Sequence, residues 1–517
     1  MTLRSLSLAS ALAASLSLTA LATPAAAAQQ AEASDPPTVS KSSPRDEVLT
    51  PAQIREELDL TRKALEQIHP GYTRYTSQAA LDALWEDARV KALAHPTRGE
   101  VYLQVSRLLA AIRCDHTKAE LPADFEKARA TEPLYLPFRY AIFDDRMFVT
   151  DPGTTGLVRG AEVTAIDGRP VGEAIAAVKA LFPVDGDTDF IKEKSIANFG
   201  EFVGPAFEHF YPFLYAAKPQ VILTLAGGAK GDGSARQVTA PRLGFADYSA
   251  ITGERRFSSN FKDAATFKLL DDRTAYLSVD TFVNYRAPVD PDTIYAPIFE
   301  RLEASGRDTL ILDLRRNGGG STDAQIGLLQ WLMPADFRQA DAVLVKSDRV
   351  DPDLKPYLQT WEKAALDPDP AWFQKRADGM FEIINPLAGK PPASIPAKQG
   401  AFKGRLVVLT SGDNASGVTH LLAALKTQRE ATFIGERTGG AATGATAGIL
   451  FYLTLPHSGV KVRVPLQRTV ITKADQLDPR LGITPDILAP DTRVSTLLGT
   501  DPAMQAAMDF IAATEAR

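Results

Sequence analysis

Cysteine is nearly missing from this chain: Cys114 is the only one in 517 residues. No disulfide framework can form within it, so the fold rests on packed cores. Histidine is also scarce, at six. None of the six falls in a His-Glu-x-x-His pattern or another metal-ligand spacing, which argues against a zinc hydrolase. Positive charge is in deficit, with 57 Lys and Arg against 63 Asp and Glu for a net charge of −6. That balance opposes nucleic-acid binding. Long apolar runs are absent beyond the start of the chain, so no later segment is expected to cross a bilayer. At the start, Arg4 precedes a largely apolar stretch (6–21) and a small-residue exit ending at Ala28. Such a layout is that of a secretory signal peptide, 1–28, cleaved after Ala28. Removing it takes away one base and no acid, leaving −7. The cleavage point is followed directly by Gln29 and not by a cysteine, which opposes a bacterial lipid anchor. The expected location is the periplasm of a Gram-negative bacterium, with secretion as the alternative.

The whole chain is 45% hydrophobic-type and 23% charged, an ordinary soluble balance. Its length calls for two or three domains. Residues 29–49, rich in Ala, Ser, Pro and charge, read as a disordered leader. Thr50-Pro51-Ala52-Gln53 combines a capping box with proline at the first helical position. Ile54, Leu58, Leu65 and Ile68 then give one apolar face. Helices over 77–94 and 97–112 complete a helical unit (50–130) that contains Cys114-Asp115-His116-Thr117. From 131 to 243 short strands dominate. Leu157-Val-Arg-Gly160-Ala-Glu-Val-Thr-Ala-Ile-Asp167-Gly168-Arg-Pro-Val171 resembles the corresponding run of PDZ domains, with a helix over 173–181 beside the groove and an insertion over 182–219. A generic β-rich domain with an Asp-Gly hairpin is the other reading. PDZ grooves hold extended peptides by strand addition, often at a free carboxyl end.

From 244 to 500 strands and helices alternate: strands at 274–279, 309–314, 406–409 and 432–434, helices at 295–305, 322–332 and 416–427. An α/β core follows from that alternation. A long interruption, 334–403, reads as a lid-like insertion, serving as a lid or a substrate wall, or else as a flexible loop. A helix is expected over 501–517.

Two turns carry chemistry. Asn317-Gly318-Gly319-Gly320 follows a strand, and three glycines permit positive φ and close backbone approach. The Lys-Ser/Thr of a phosphate-binding loop is absent, and the dinucleotide fingerprint fails. Ser416 follows a second strand and a Ser-Gly-Asp-Asn turn, and it opens a helix. By itself it reads as an N-cap, a common task for serine, sooner than as a nucleophile. Beside the glycine turn it reads as a nucleophile, with amides of Gly318 or Gly319 and of Gly417 facing one carbonyl oxygen.

Four runs occur in the order found in one family: Asp313-Leu-Arg-Arg-Asn-Gly-Gly-Gly320, Leu409-Thr-Ser-Gly-Asp-Asn-Ala-Ser416, Ile434-Gly-Glu-Arg-Thr-Gly-Gly440 and Gly482-Ile-Thr-Pro-Asp-Ile487. With Ile68-His69-Pro70 near the start, they resemble the tail-specific (C-terminal processing) serine peptidases and the related tricorn core. The resemblance implies an α/β fold with a ClpP/crotonase-like ββα core, an N-terminal helical subdomain and an inserted PDZ-like β domain. It implies a serine endopeptidase acting on peptide or protein substrates, held in part by their C-termini, with no cofactor and no metal. In one catalytic style of the family a lysine pairs with the serine; the matching slot here is Ala441. The tricorn-like style uses a histidine, and His116 occupies its context as general base. That style places an acid near the Gly-Ile-x-Pro-Asp motif, where this chain offers Asp478, with Asp475 and Glu436 as rivals. Cys114 reads as a buried free thiol rather than a nucleophile. A binding or carrier protein with a dead site, or an esterase, would use the same scaffold.

Overall fold

Thr50 opens the first helix in the way its spacing predicts. Its hydroxyl accepts the Gln53 N–H at 3.3 Å while Gln53 Oε1 takes the Thr50 N–H at 2.8 Å, fixing the start of α1 (Pro51–Ile68). In this computed structural model the described residues are 43–198, 204–227, 236–251 and 260–515. The expected signal peptide, and the leader as far as residue 42, lie outside them. Helices α2 (Gln78–Ala94) and α3 (Arg98–Ile112) follow, capped by Ser77 and Thr97. Arg113, in the left-handed region at φ 63°, ends α3 and turns the chain into the His116 loop.

An antiparallel sheet comes next, ordered β1 (Arg139–Phe143), β2 (Arg146–Asp151), β3 (Glu162–Ile166), β4 (Gln220–Leu225), β5 (Arg236–Pro241). Asp167 and Gly168, both at positive φ, turn β3 back on itself. Arg242 pairs with Asp167 at 2.8 Å across the turn's base. Helix α4 (Val171–Lys179) begins two residues before the expected helix. The 182–219 segment is helical in part, over Lys192–Ala197 and Ala206–Leu214.

Beyond residue 264 the chain runs β6 (Ala265–Leu269), β7 (Thr274–Val279), α5 (Asp292–Ala304), β8 (Thr309–Asp313), α6 (Thr322–Leu332), β9 (Ala340–Val345), β10 (Phe381–Ile383), β11 (Arg405–Thr410), α7 (Gly417–Gln428), β12 (Thr432–Gly435), β13 (Thr446–Thr454), β14 (Lys461–Ile471), β15 (Ile487–Leu488) and α8 (Pro502–Glu515). One sheet is ordered β15-β12-β11-β8-β7-β6, parallel except for the β6 edge. Every residue of β8 is buried, as a central parallel strand requires. Leu310, Leu312, Leu406 and Val408 pack beneath α5, α6 and α7, while Ile311, Val407, Leu409 and Ile434 meet Ile511 of α8 on the opposite face.

The 334–403 segment departs from its expected form. It supplies β9 and β10 to a second, antiparallel sheet with β13 and β14, through pairs such as Ala340↔Ile471 and Val345↔Phe381. It is thus in part a wall of the fold rather than a free loop. Among the described residues no helix is long and apolar enough to cross a membrane.

Candidate active site

β8 and β11 lie side by side in parallel register, Asp313 opposite Leu409. Both carry their functional turns at the carboxyl end, where open parallel sheets gather their sites. Asn414 ties the two turns together: its Nδ2 donates to the carbonyls of Leu314 (2.6 Å) and Asn317 (3.0 Å), and its Oδ1 accepts the Ser411 N–H. A Cβ on Gly319 would come within 2.8 Å of both the Ala415 oxygen and the Gly417 nitrogen, at φ 105°. Only glycine fits so close to the start of α7.

Ser416 stands at the N-cap position, yet its side chain makes no capping bond. Its backbone is at φ 55°, ψ −130°, a strained conformation for a residue with a side chain. The hydroxyl is turned instead to His116, whose Nε2 lies 3.1 Å from Ser416 Oγ. Three hundred residues separate the two in sequence.

Of the expected oxyanion donors, Gly318 and Gly417 have amides with no hydrogen-bond acceptor among the described residues, and Gly318 is exposed. Gly319 is a correction. Its N–H is spent on Asn317 Oδ1 at 2.8 Å, because the same asparagine must also hold the Val279 carbonyl and so stiffens the turn. Gly319 contributes close approach, not a donor.

Asp478 is a second correction. It is exposed, and its Oδ1 accepts the N–H groups of Arg480 and Leu481 at 2.8 and 3.0 Å, the local turn bond typical of aspartate. Nothing joins it to His116. Asp475 is exposed in the short 3-10 turn Ala474–Gln476. Glu436 accepts the Gly412 N–H and pairs with Lys194 at 3.3 Å.

A carboxylate that no motif marked, Asp185, lies beside the imidazole. Cys114 Sγ, a ring nitrogen of His116 and a carboxylate oxygen of Asp185 lie within 4.8 Å of one another. That trio has metal-ligand chemistry, and of its side-chain ligand atoms His116 Nδ1 alone lacks a hydrogen-bond partner among the described residues. His116 Nε2 faces Ser416, Asp185 accepts two backbone N–H groups, and Cys114 donates to the Thr446 carbonyl at 3.4 Å. Burial pushes the Cys114 thiol up to about 12, so it stays protonated and is a poor nucleophile.

Two further histidines border the site. His69 accepts the Gly71 N–H through Nδ1 and reaches Thr117 Oγ1 through Nε2 at 2.8 Å, bracing the residue after His116. His420 Nε2 accepts the Ala445 N–H at 3.1 Å. Burial holds His69 at about 3 and His420 at about 4. Neither is a base at neutral pH.

Comparison with known proteins agrees with this layout. Residues 273–489 match the family model of peptidase family S41. The structure resembles mature CPAF complexed with lactacystin at 14% identity and TM-score 0.56, covering 89% of this chain and 98% of that one. A crystal structure of mature CPAF matches at 14% identity and TM-score 0.55, over 86% and 94% of the two chains. At such identity the likeness concerns the fold alone. A looser match is the photosystem II D1 C-terminal processing protease, 17% identical with a TM-score of 0.38 over 88% and 99%. No curated protein sequence matches the chain. Residues 273–489, less than half of the chain, thus form a core that resembles peptidase family S41, the tail-specific serine-type peptidases.

Proposed function

We propose that this protein is an exported serine endopeptidase that cleaves peptide or protein substrates through an acyl-enzyme on Ser416, with His116 as general base. The observation that carries this reading is the 3.1 Å approach of His116 Nε2 to a hydroxyl borne on strained backbone. In the first step Ser416 Oγ bonds to the scissile carbonyl carbon and its proton passes to His116 Nε2. The oxyanion meets the N–H groups of Gly318 and Gly417 at the start of α7, whose dipole favours negative charge there. As the C–N bond breaks, His116 gives its proton to the leaving amine. Water then repeats the sequence on the ester and frees Ser416. The PDZ-like sheet β1–β5 would hold the substrate, in part by its carboxyl end.

A carrier with a dead site and an esterase are the competing readings. Turnover of an internally quenched peptide library, beside p-nitrophenyl acetate as a simple ester, separates the three. Peptide cleavage that falls about 10⁴- to 10⁶-fold in both Ser416→Ala and His116→Ala supports the proposal. Ester turnover without peptide cleavage points to an esterase, and neither activity points to a carrier. Export is tested separately: the mature protein from a bacterial envelope fraction should begin at Gln29, and an intact Met1 terminus would contradict it.

A further inference from the structure

His116 uses Nε2 on Ser416, while its Nδ1 is buried with no hydrogen-bond partner among the described residues. A ring whose far nitrogen is unheld is free to take the wrong tautomer, in which Nε2 carries the proton and cannot accept another. Neither Asp478, Asp475 nor Glu436 reaches it. Asp185 does lie beside it, with its carboxylate oxygen, a His116 ring nitrogen and the Cys114 sulfur mutually within 4.8 Å.

Asp185 is 2% exposed, and both its oxygens are occupied by backbone donors: Oδ1 by the Asp115 N–H at 2.9 Å and Oδ2 by the Ala441 N–H at 3.2 Å. Those donors fix where the carboxylate stands relative to the His116 loop. Ala441 is the slot that a lysine fills in the family's other catalytic style, so an anion is anchored where the other style keeps its base. The segment bearing Asp185 is itself clamped. Gly186 N–H donates to the Arg113 carbonyl at 3.0 Å, Asp187 N–H to the Arg480 carbonyl at 2.8 Å, and Thr188 Oγ1 to the Asp185 carbonyl at 2.7 Å. Gly186 stands at φ 54°, where a Cβ would come within 2.2 Å of the Arg480 oxygen.

We propose that Asp185 is the positioning acid of this site, holding His116 with its proton on Nδ1 and stabilising the imidazolium that forms as Ser416 attacks. The inference rests on the reading of His116 as base. Asp185 is not itself protonated in the cycle. The Ser416 proton goes to Nε2 and on to the leaving amine, while Nδ1–H stays in place. Burial, and after it the neighbouring Asp115, push the Asp185 carboxyl above its ordinary value on balance, while His116 and the two backbone N–H groups act the other way. A donor on each oxygen favours the ionised form, because a protonated oxygen would have to share its place with an N–H. The Asp115 carboxylate is committed to Lys118 at 3.0 Å, and the Cys114 thiol is neutral, so Asp185 is the anion left to act on the ring. Catalytic hydrogen bonds often tighten only when substrate is bound, so the Nδ1–Asp185 bond is expected to close in the acyl or tetrahedral state.

The test compares Asp185→Asn and Asp185→Ala with Asp478→Asn in the full-length mature enzyme, with folding checked by thermal unfolding. Asp185→Asn should lower kcat about 10²- to 10⁴-fold with KM little changed. The acid limb of its pH–rate profile should move to lower pH, and formate should restore part of the Asp185→Ala activity. Asp478→Asn should keep kcat within about threefold, since surface substitutions change little. A folded Asp185→Asn enzyme with near wild-type kcat and an unmoved acid limb would overturn the proposal while leaving His116 as base. Full activity in His116→Ala would sink the parent reading instead. Should the Asp185 variants fail to fold, the phosphonylated wild-type enzyme decides by proton NMR. A far-downfield imidazole N–H that disappears in phosphonylated His116→Gln supports the bond to Asp185, and its absence contradicts it.

Discussion

Ser416 holds a backbone conformation that a residue with a Cβ adopts only at a cost of about 1–3 kcal/mol, with φ at 55°. The local sequence does not require that conformation. It is held by Asn414 and by the close approach of Gly319. Replacing Ser416 with glycine should therefore raise stability by about 1 kcal/mol over Ser416→Ala while both variants lose activity. Urea unfolding of the two measures the difference, and equal stabilities would mean the turn is unstrained. The buried histidines give a second expectation at this scale. His69 and His420 are depressed to about 3 and about 4 from an ordinary 6.5. The unfolded chain thus binds protons that the folded chain refuses, and both contribute full stability above pH 6.5. Below it that stability is lost, by up to about 1.4 kcal/mol per pH unit for each histidine. The melting temperature should fall between pH 6.5 and 4, and His420→Gln should flatten the slope. Ser416, His116 and the glycine turn were legible in the sequence because each sits in a local motif. Asp185 was not, since its closeness to Asp115 and His116 joins segments 70 residues apart. Spacing along the chain selected Asp478, whose short side chain serves its own turn.

At the scale of elements, the strand–turn–helix units after β8 and β11 determine the site. Their hydrophobic runs and glycines were readable, and α6 starts and ends where its pattern predicts. The second sheet was not readable. β9 pairs with β14 across more than a hundred residues, and a proline-rich stretch between β9 and β11 masks the short strands within it. Gly319→Ala would force a Cβ against two backbone atoms at positive φ. It should cost about 1–3 kcal/mol and disable the site, read by thermal unfolding and peptide turnover together. Retained turnover would mean the two turns are less tightly fitted than their spacing indicates. Farther away, Thr50→Ala removes the capping box of α1 and should cost about 1 kcal/mol without altering kcat.

For the molecule as a whole, the helical unit delivers His116, the parallel sheet delivers Ser416 and the glycine turn, and the antiparallel sheet of β9, β10, β13 and β14 braces the histidine loop. That bracing runs through the short strand Ala119–Glu120, which pairs with Val462 and Lys461 of β14. The approach of His116, from the front of the chain, to Ser416, far downstream, was anticipated from the family-like motifs; the sheet that braces it was not. The most direct measurement is labelling of the mature protein with a fluorophosphonate, with the adduct located by mass spectrometry. Phosphonylation at Ser416 that is lost in Ser416→Ala and slowed about 10³-fold or more in His116→Ala is the predicted result. Labelling at another residue, or labelling of Ser416 that is indifferent to His116, would contradict the account.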